Sequence, residues 1–154
     1  RVILDPGSLV GVRELGPPEG AQRTDMGWEV YPQGMYEQLL ELRDKYGNPP
    51  VVITENGAAF EDRPDATGHV EDTERTAYLA AYLEQVARAR EAGADVRGYF
   101  AWSLLDNFEW AEGYGKRFGL VRVDFETQER IPKASFHWYR ETIVRNEPVA
   151  GSRG

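Results

Sequence analysis

Glu55 is the residue best placed for chemistry. It follows Val51-Val52-Ile53-Thr54, a short, β-branched and continuously apolar run. Such a run reads as a parallel strand covered on both faces. A carboxylate directly after it stands at the C-terminal edge of the strand, where α/β sheets and barrels collect their reactive groups. Position alone leaves a plainer role open, because strands commonly end in a polar residue that meets water. The aromatic content points the same way and is equally ambiguous. Four Trp, eight Tyr and six Phe make up 12% of the chain. Flat rings stack on the C–H faces of a pyranose, and they also fill cores.

Other chemistries are poorly supplied. There is no cysteine, hence no disulfide framework and no thiolate. His69 and His137 lack a second ligand at metal spacing, so neither a metal nor a cofactor is expected. A net charge of −8 and a pI of about 4.8 argue against nucleic acid and against anionic membranes as partners. No run of about 18 apolar residues is present to span a bilayer. The first residues, Arg1-Val2-Ile3-Leu4-Asp5-Pro6-Gly7, contain neither an initiator Met nor a signal-peptide apolar region. A cytoplasmic chain that begins partway through a larger one is the expectation. With 154 residues, 41% hydrophobic and 29% charged, it suffices for one modest domain with a core.

The elements that must position Glu55 follow from periodicity. Residues 1–32 are punctuated by glycine and proline without a period and read as a loop or linker. Pro32 is suited to open a helix, since its missing N–H is not needed there. Met35, Leu39, Leu42 and Tyr46 then recur at helical spacing, and Gly47 and Pro49-Pro50 stop the helix. After the Glu55 strand and a loop over 58–71, Asp72 or Thr73 caps a second helix. Leu79, Tyr82, Leu83, Val86 and Ala87 mark its buried face, and Gly93 ends it. Val96 to Ser103 reads as a second strand. Helix, strand, helix, strand with short connections is the pattern of βα repeats and a parallel sheet. Residues 120–132 alternate as a β-hairpin, and Lys133 to Arg145 form a last helix with Phe136, Tyr139, Ile143 and Val144 on or near one face. Residues 147–154 are expected to be a flexible tail.

Ile53-Thr54-Glu55-Asn56-Gly57 resembles the nucleophile signature of family 1 glycoside hydrolases. The resemblance continues through Gly68 to Leu83, then Tyr99-Phe100-Ala101-Trp102-Ser103-Leu104-Leu105-Asp106-Asn107-Phe108-Glu109-Trp110. Gly113-Tyr114, Arg117-Phe118-Gly119-Leu120 and Lys133-Ala134-Ser135-Phe136-His137-Trp138-Tyr139 extend it. Several blocks in the right order at compatible spacing are far more specific than one pentapeptide.

The resemblance implies a fold class and a site. The family fold is a (β/α)8 TIM barrel, which needs about 250 residues or more. The chain is therefore expected to be its C-terminal segment: the last two βα units, the closing hairpin and the final helix, with residues 33–146 as the partial barrel. Glu55 is implied as the nucleophile of a retaining β-glucosidase-type reaction. Trp102 is implied to stack beneath the sugar, Glu109 to bond two of its hydroxyls, Trp110 to contact the same end, and Phe118 to close the pocket wall. A β-glycoside is the implied substrate, and the missing N-terminal barrel segment, or a second copy, the implied partner.

One departure matters. A retaining glycosidase needs a second carboxyl about 5 Å from the first, which the family carries in an Asn-Glu-Pro motif ending its fourth strand. Asn146-Glu147-Pro148 has that spelling but lies after the last helix with no apolar strand leading into it, so Glu147 is read as a chance match. Two other readings stay open: a barrel fragment with weak or no turnover, and a sugar-binding module without chemistry.

Overall fold

The computed structural model describes residues 2–146. Its elements are β1 (Val2–Leu4), β2 (Val12–Glu14), α1 (Gln33–Lys45), β3 (Val51–Asn56), α2 (Thr73–Glu91), β4 (Val96–Ala101), a 3-10 turn (Trp110–Glu112), β5 (Val121–Val123), β6 (Arg130–Pro132) and α3 (Ala134–Arg145).

The centre is a parallel pair. β3 and β4 lie side by side with Ile53 opposite Tyr99 and Asn56 opposite Ala101. Helices α1 and α2 cover one face. There Leu39, Val86, Ala89, Ala94 and Val96 form a buried cluster against which Val51, Ile53 and Tyr99 pack. A second cluster, Ala58, Phe60, Tyr78, Leu79 and Leu120, fills the space behind the C-terminal ends of the strands, with Phe136, Trp138 and Tyr139 of α3 against it.

The opposite face of the pair corrects the expectation of a strand covered on both sides. Val52 is 48% exposed and Phe100 60% exposed, so within this chain the sheet is covered on one face only. β3 and β4 are each other's sole ladder partners among the described residues.

Local signals explain the boundaries. Pro32 stands at the N-cap of α1 in helical conformation, and Gly47 leaves the helix at φ 75°, a conformation that costs a residue with a Cβ more than it costs glycine. Asn48 follows at φ 54° and ties the ends of the two helices together, its amide donating to Gly93 O at 3.0 Å and its carbonyl accepting from Asp95 N at 3.0 Å.

Four expectations need adjustment. Residues 1–24 lack strand periodicity, yet β1 and β2 pair as an antiparallel ribbon. Short ribbons are specified by their turn, here Asp5 to Gly11, more than by alternation. Asp72 occupies the N-cap of α2 but makes no capping bond; its carboxylate is taken by Arg75 and Ser135 instead. β3 runs on through Glu55 and Asn56 rather than ending before them. Ile143 and Val144, expected on or near the buried face of α3, are 61% and 77% exposed. The helix buries Ser135 and Thr142 and turns Phe136 and Tyr139 toward the core. Glu147 lies outside the described residues.

Candidate active site

The end of β3 and the end of β4 are joined through main chain. Trp102 N–H donates to Asn56 O at 2.9 Å, which fixes the residue after β4 beside the residue after Glu55. Gly57 then passes so close to Trp102 that a Cβ built on it would lie 2.7 Å from the Trp102 carbonyl carbon and overlap its oxygen. Only glycine fits there without a backbone shift. The Asn56 side chain is held by the phenols of buried Tyr78 and half-buried Tyr99: Tyr99 Oη donates to its carbonyl oxygen at 2.7 Å, and its amide reaches Tyr78 Oη at 3.4 Å. Burial pushes the Tyr78 and Tyr99 phenols well above their ordinary value, with neighbouring tyrosines adding to it, so both remain neutral hydrogen-bonding groups.

A third backbone comes alongside. Ser103 N–H donates to Phe118 O at 3.1 Å and Leu120 N–H to Ser103 O at 2.8 Å. Glu55, Trp102 and Phe118 are thus carried on adjacent segments at one end of the sheet. Glu55 is exposed and Trp102 is 37% exposed. Phe118 is 3% exposed and packs against Trp28 with ring centroids 6.1 Å apart. Its ring therefore supports the exposed Trp28 from beneath.

Glu109 and Trp110 sit farther out, on a turn closed by Glu109 N–H to Gly113 O at 2.7 Å. Glu109 is half-buried and Trp110 is 82% exposed. No hydrogen bond or ion pair among the described residues joins either to Glu55. What ties their turn to the rest is a buried ionic network. Asp106 accepts from Gly119 N at 2.9 Å, from Arg117 at 2.5 Å and from Lys133 at 3.1 Å. Lys133 also donates to Asp62, and Asp62 is paired with Arg75, which in turn holds Asp72. Burial works against the Arg75 charge, but the Asp62 and Asp72 carboxylates outweigh it and raise its pKa. Burial, with Arg75 close by, lowers that of Lys133 against the pull of Asp62 and Asp106.

Sequence reasoning assigned no role to Trp28, Asp62, Asp106 or Lys133. A signal for the network did exist in α2, where Arg75 shares the helical stripe of Leu79, Tyr82 and Val86. A charge on an apolar stripe needs a buried partner.

No group of three or more His, Cys, Asp or Glu suited to a metal occurs among the described residues. Nor is any described helix long and apolar enough to cross a membrane.

Comparison with known proteins decides the lineage. A family model described as glycosyl hydrolase family 1 matches residues 15–148. The chain belongs to glycosyl hydrolase family 1. Among family 1 relatives, β-glucosidase A of Acetivibrio thermocellus is 52% identical over 128 residues, covering 83% of this chain and 29% of that protein. The solved family 1 β-glucosidase from Thermotoga maritima superposes with a TM-score of 0.89 at 46% identity, covering 95% of this chain and 32% of that one. A β-glucosidase of the same organism in complex with galacto-hydroximolactam matches with a TM-score of 0.87, 46% identity and the same coverage. The chain thus spans about a third of the length of these relatives, and its fold is a segment of the family 1 (β/α)8 barrel.

Proposed function

We propose that this segment supplies the nucleophile half of a retaining β-glucosidase site. Glu55 attacks the anomeric carbon of a β-glycoside, the aglycone departs with the bonding electron pair, and water later hydrolyses the glycosyl-enzyme. Trp102 forms the platform beneath the sugar, while Glu109 and Trp110 bind its hydroxyls from the outer turn. Charged acceptors such as Glu109 make stronger hydrogen bonds than neutral ones. Phe118 backs the wall through Trp28. The carboxyl that protonates the leaving group comes from outside this chain, and Glu147 has no part in the reaction. The remaining barrel strands, supplied by an N-terminal segment, complete the pocket, and a cytoplasmic setting suits a cysteine-free chain.

The observation that carries this reading is the lock between β3 and β4: Trp102 N–H on Asn56 O, with Gly57 against the Trp102 main chain. It brings the end of the Glu55 strand and the Trp102 main chain to one edge, which supports this reading in a chain whose relatives are named β-glucosidases.

The test joins the chain to an N-terminal barrel segment and treats it with a slow 2-fluoro-glucoside. Peptide mass spectrometry is expected to find the label on the peptide containing Glu55. Glu55→Gln should abolish labelling with a stability change within about 0.5 kcal/mol, as befits an exposed site. A label on any other carboxylate would overturn the assignment.

A second reading applies to the chain alone, and the uncovered Val52–Phe100 face favours it. By itself the segment is a self-associating fragment with residual activity confined to nitrophenyl glucosides, whose leaving groups need little protonation. Equal rates on nitrophenyl glucoside and cellobiose would refute it.

A further inference from the structure

Lys133 is fully buried, at 0% exposure, immediately before α3. Its ammonium has three protons, and the structure offers three acceptors: Asp62 Oδ2 at 2.5 Å, Asp106 Oδ1 at 3.1 Å and Gly119 O at 2.5 Å. The two carboxylates belong to different functional segments. Asp62 is on the segment that continues from Glu55, and between them Ala58, Ala59 and Phe60 are packed at 0%, 0% and 3% exposure. Asp106 opens the turn that carries Glu109 and Trp110.

Each carboxylate is also anchored from behind. Arg75 reaches both oxygens of Asp62, at 2.9 and 2.8 Å. Asp106 holds Arg117 and the Gly119 N–H. The cations Arg75, Lys133 and Arg117 face the anions Asp62, Asp72 and Asp106, so the charges balance. A buried ionic cluster is weak as a source of stability, because apolar residues of similar volume often do as well. What apolar packing lacks is directionality. An ammonium with every proton assigned holds two loops at one separation.

We propose that Lys133 is a positioning residue: by bridging Asp62 and Asp106 it sets the spacing between the Glu55 segment and the Glu109–Trp110 turn. This rests on the role given above to Glu109. If the turn drifts, sugar contacts made from it weaken more than the chemistry at Glu55 does.

The experiment uses the chain joined to its N-terminal barrel segment and measures kcat/KM on nitrophenyl β-glucoside and each of its monodeoxy analogues. Glu109→Gln identifies the hydroxyls that Glu109 reads, as those whose removal no longer matters in that variant. Lys133→Met is expected to lower kcat/KM on the parent glucoside by about 100-fold, the scale of a misplacement near 1 Å. It should also shrink the penalty for losing those same hydroxyls, while Glu55 still takes the 2-fluoro label. Asp106→Asn, which keeps the shape of the side chain, should reproduce the pattern if Lys133→Met folds poorly. Hydrogen exchange over residues 103–120 should rise in either variant with α1 unchanged. A uniform loss on every analogue, or faster exchange throughout, would show a merely structural role and overturn the proposal. If Glu109→Gln leaves every hydroxyl preference intact, the reading of Glu109 fails with Lys133 still in place, and the positioning role falls with it.

Discussion

The carbonyl group of Trp102 fills the space where Gly57 would carry a side chain, its carbon 2.7 Å from an ideal Cβ position. Two residues from different strands thereby bring their main chains into contact directly above the Glu55 segment. The glycine of Glu55-Asn56-Gly57 is there for that approach and not for a turn, since it is absent from the positive-φ positions.

Gly57→Ala is therefore expected to force β3 and the Trp102 segment apart. Overpacking of this kind costs about 1–3 kcal/mol, readable by urea unfolding. The rate of 2-fluoro-glucoside labelling in the assembled protein should fall by about 100-fold, as expected for a misplacement near 1 Å. An alanine variant that labels at the parent rate would show the contact to be incidental.

The buried pairs should respond very differently from the surface pairs. Arg75 is 1% exposed, and Asp62 and Asp72 have fully buried carboxylates. Arg75→Met leaves Asp72 without a cation and Asp62 with Lys133 alone, and should cost about 3–5 kcal/mol. Lys45 and Glu41 form an exposed pair four residues apart at 2.9 Å. Lys45→Met should cost about 0.3–0.5 kcal/mol. Comparable losses for the two variants in urea titrations would contradict a buried network around Arg75.

Tyrosine titration offers a spectroscopic check. Burial raises the pKa of Tyr78, Tyr99 and Tyr139. A phenol whose folded pKa lies above its unfolded value of about 10 leaves the unfolded chain as the first to lose the proton. Its contribution to stability is complete below about pH 10 and declines as pH climbs toward the folded pKa. Lys133, with its pKa lowered, acts in the opposite sense as pH rises toward its own unfolded value. Tyrosinate absorbance separates the two, because only the phenols report. Three of the eight tyrosines should ionise late, and Tyr99→Phe should remove one of the late steps. A single transition near pH 10 for all eight would refute the buried phenols.

The chain without an N-terminal barrel segment should associate with itself. Val52 and Phe100 open a sheet face to solvent at 48% and 60% exposure, and unpaired strand edges invite further strands. Sedimentation at rising concentration should show growing oligomers, and addition of the N-terminal segment should disperse them. A concentration-independent monomer with well-dispersed amide signals would oppose this.

The elements were legible because their signals are local. Met35, Leu39 and Leu42 specify α1 by spacing, Val51 to Thr54 specify β3 by branching, and Gly47 and Gly93 stop the helices from within a few residues. Glu55 and Trp102 could be singled out because strand ends and motif blocks are also contiguous in the chain. The pairing of charges was not legible. Asp72 looks like a helix cap, and only folding brings Ser135, 63 residues away, to take its carboxylate. Lys133 looks like an ordinary residue before a helix until Asp62, 71 residues distant, closes on it. Periodicity records which face of an element is apolar. Which polar groups meet across elements depends on how three backbones pack, and at Gly57 and Lys133 that packing decided which segments touch.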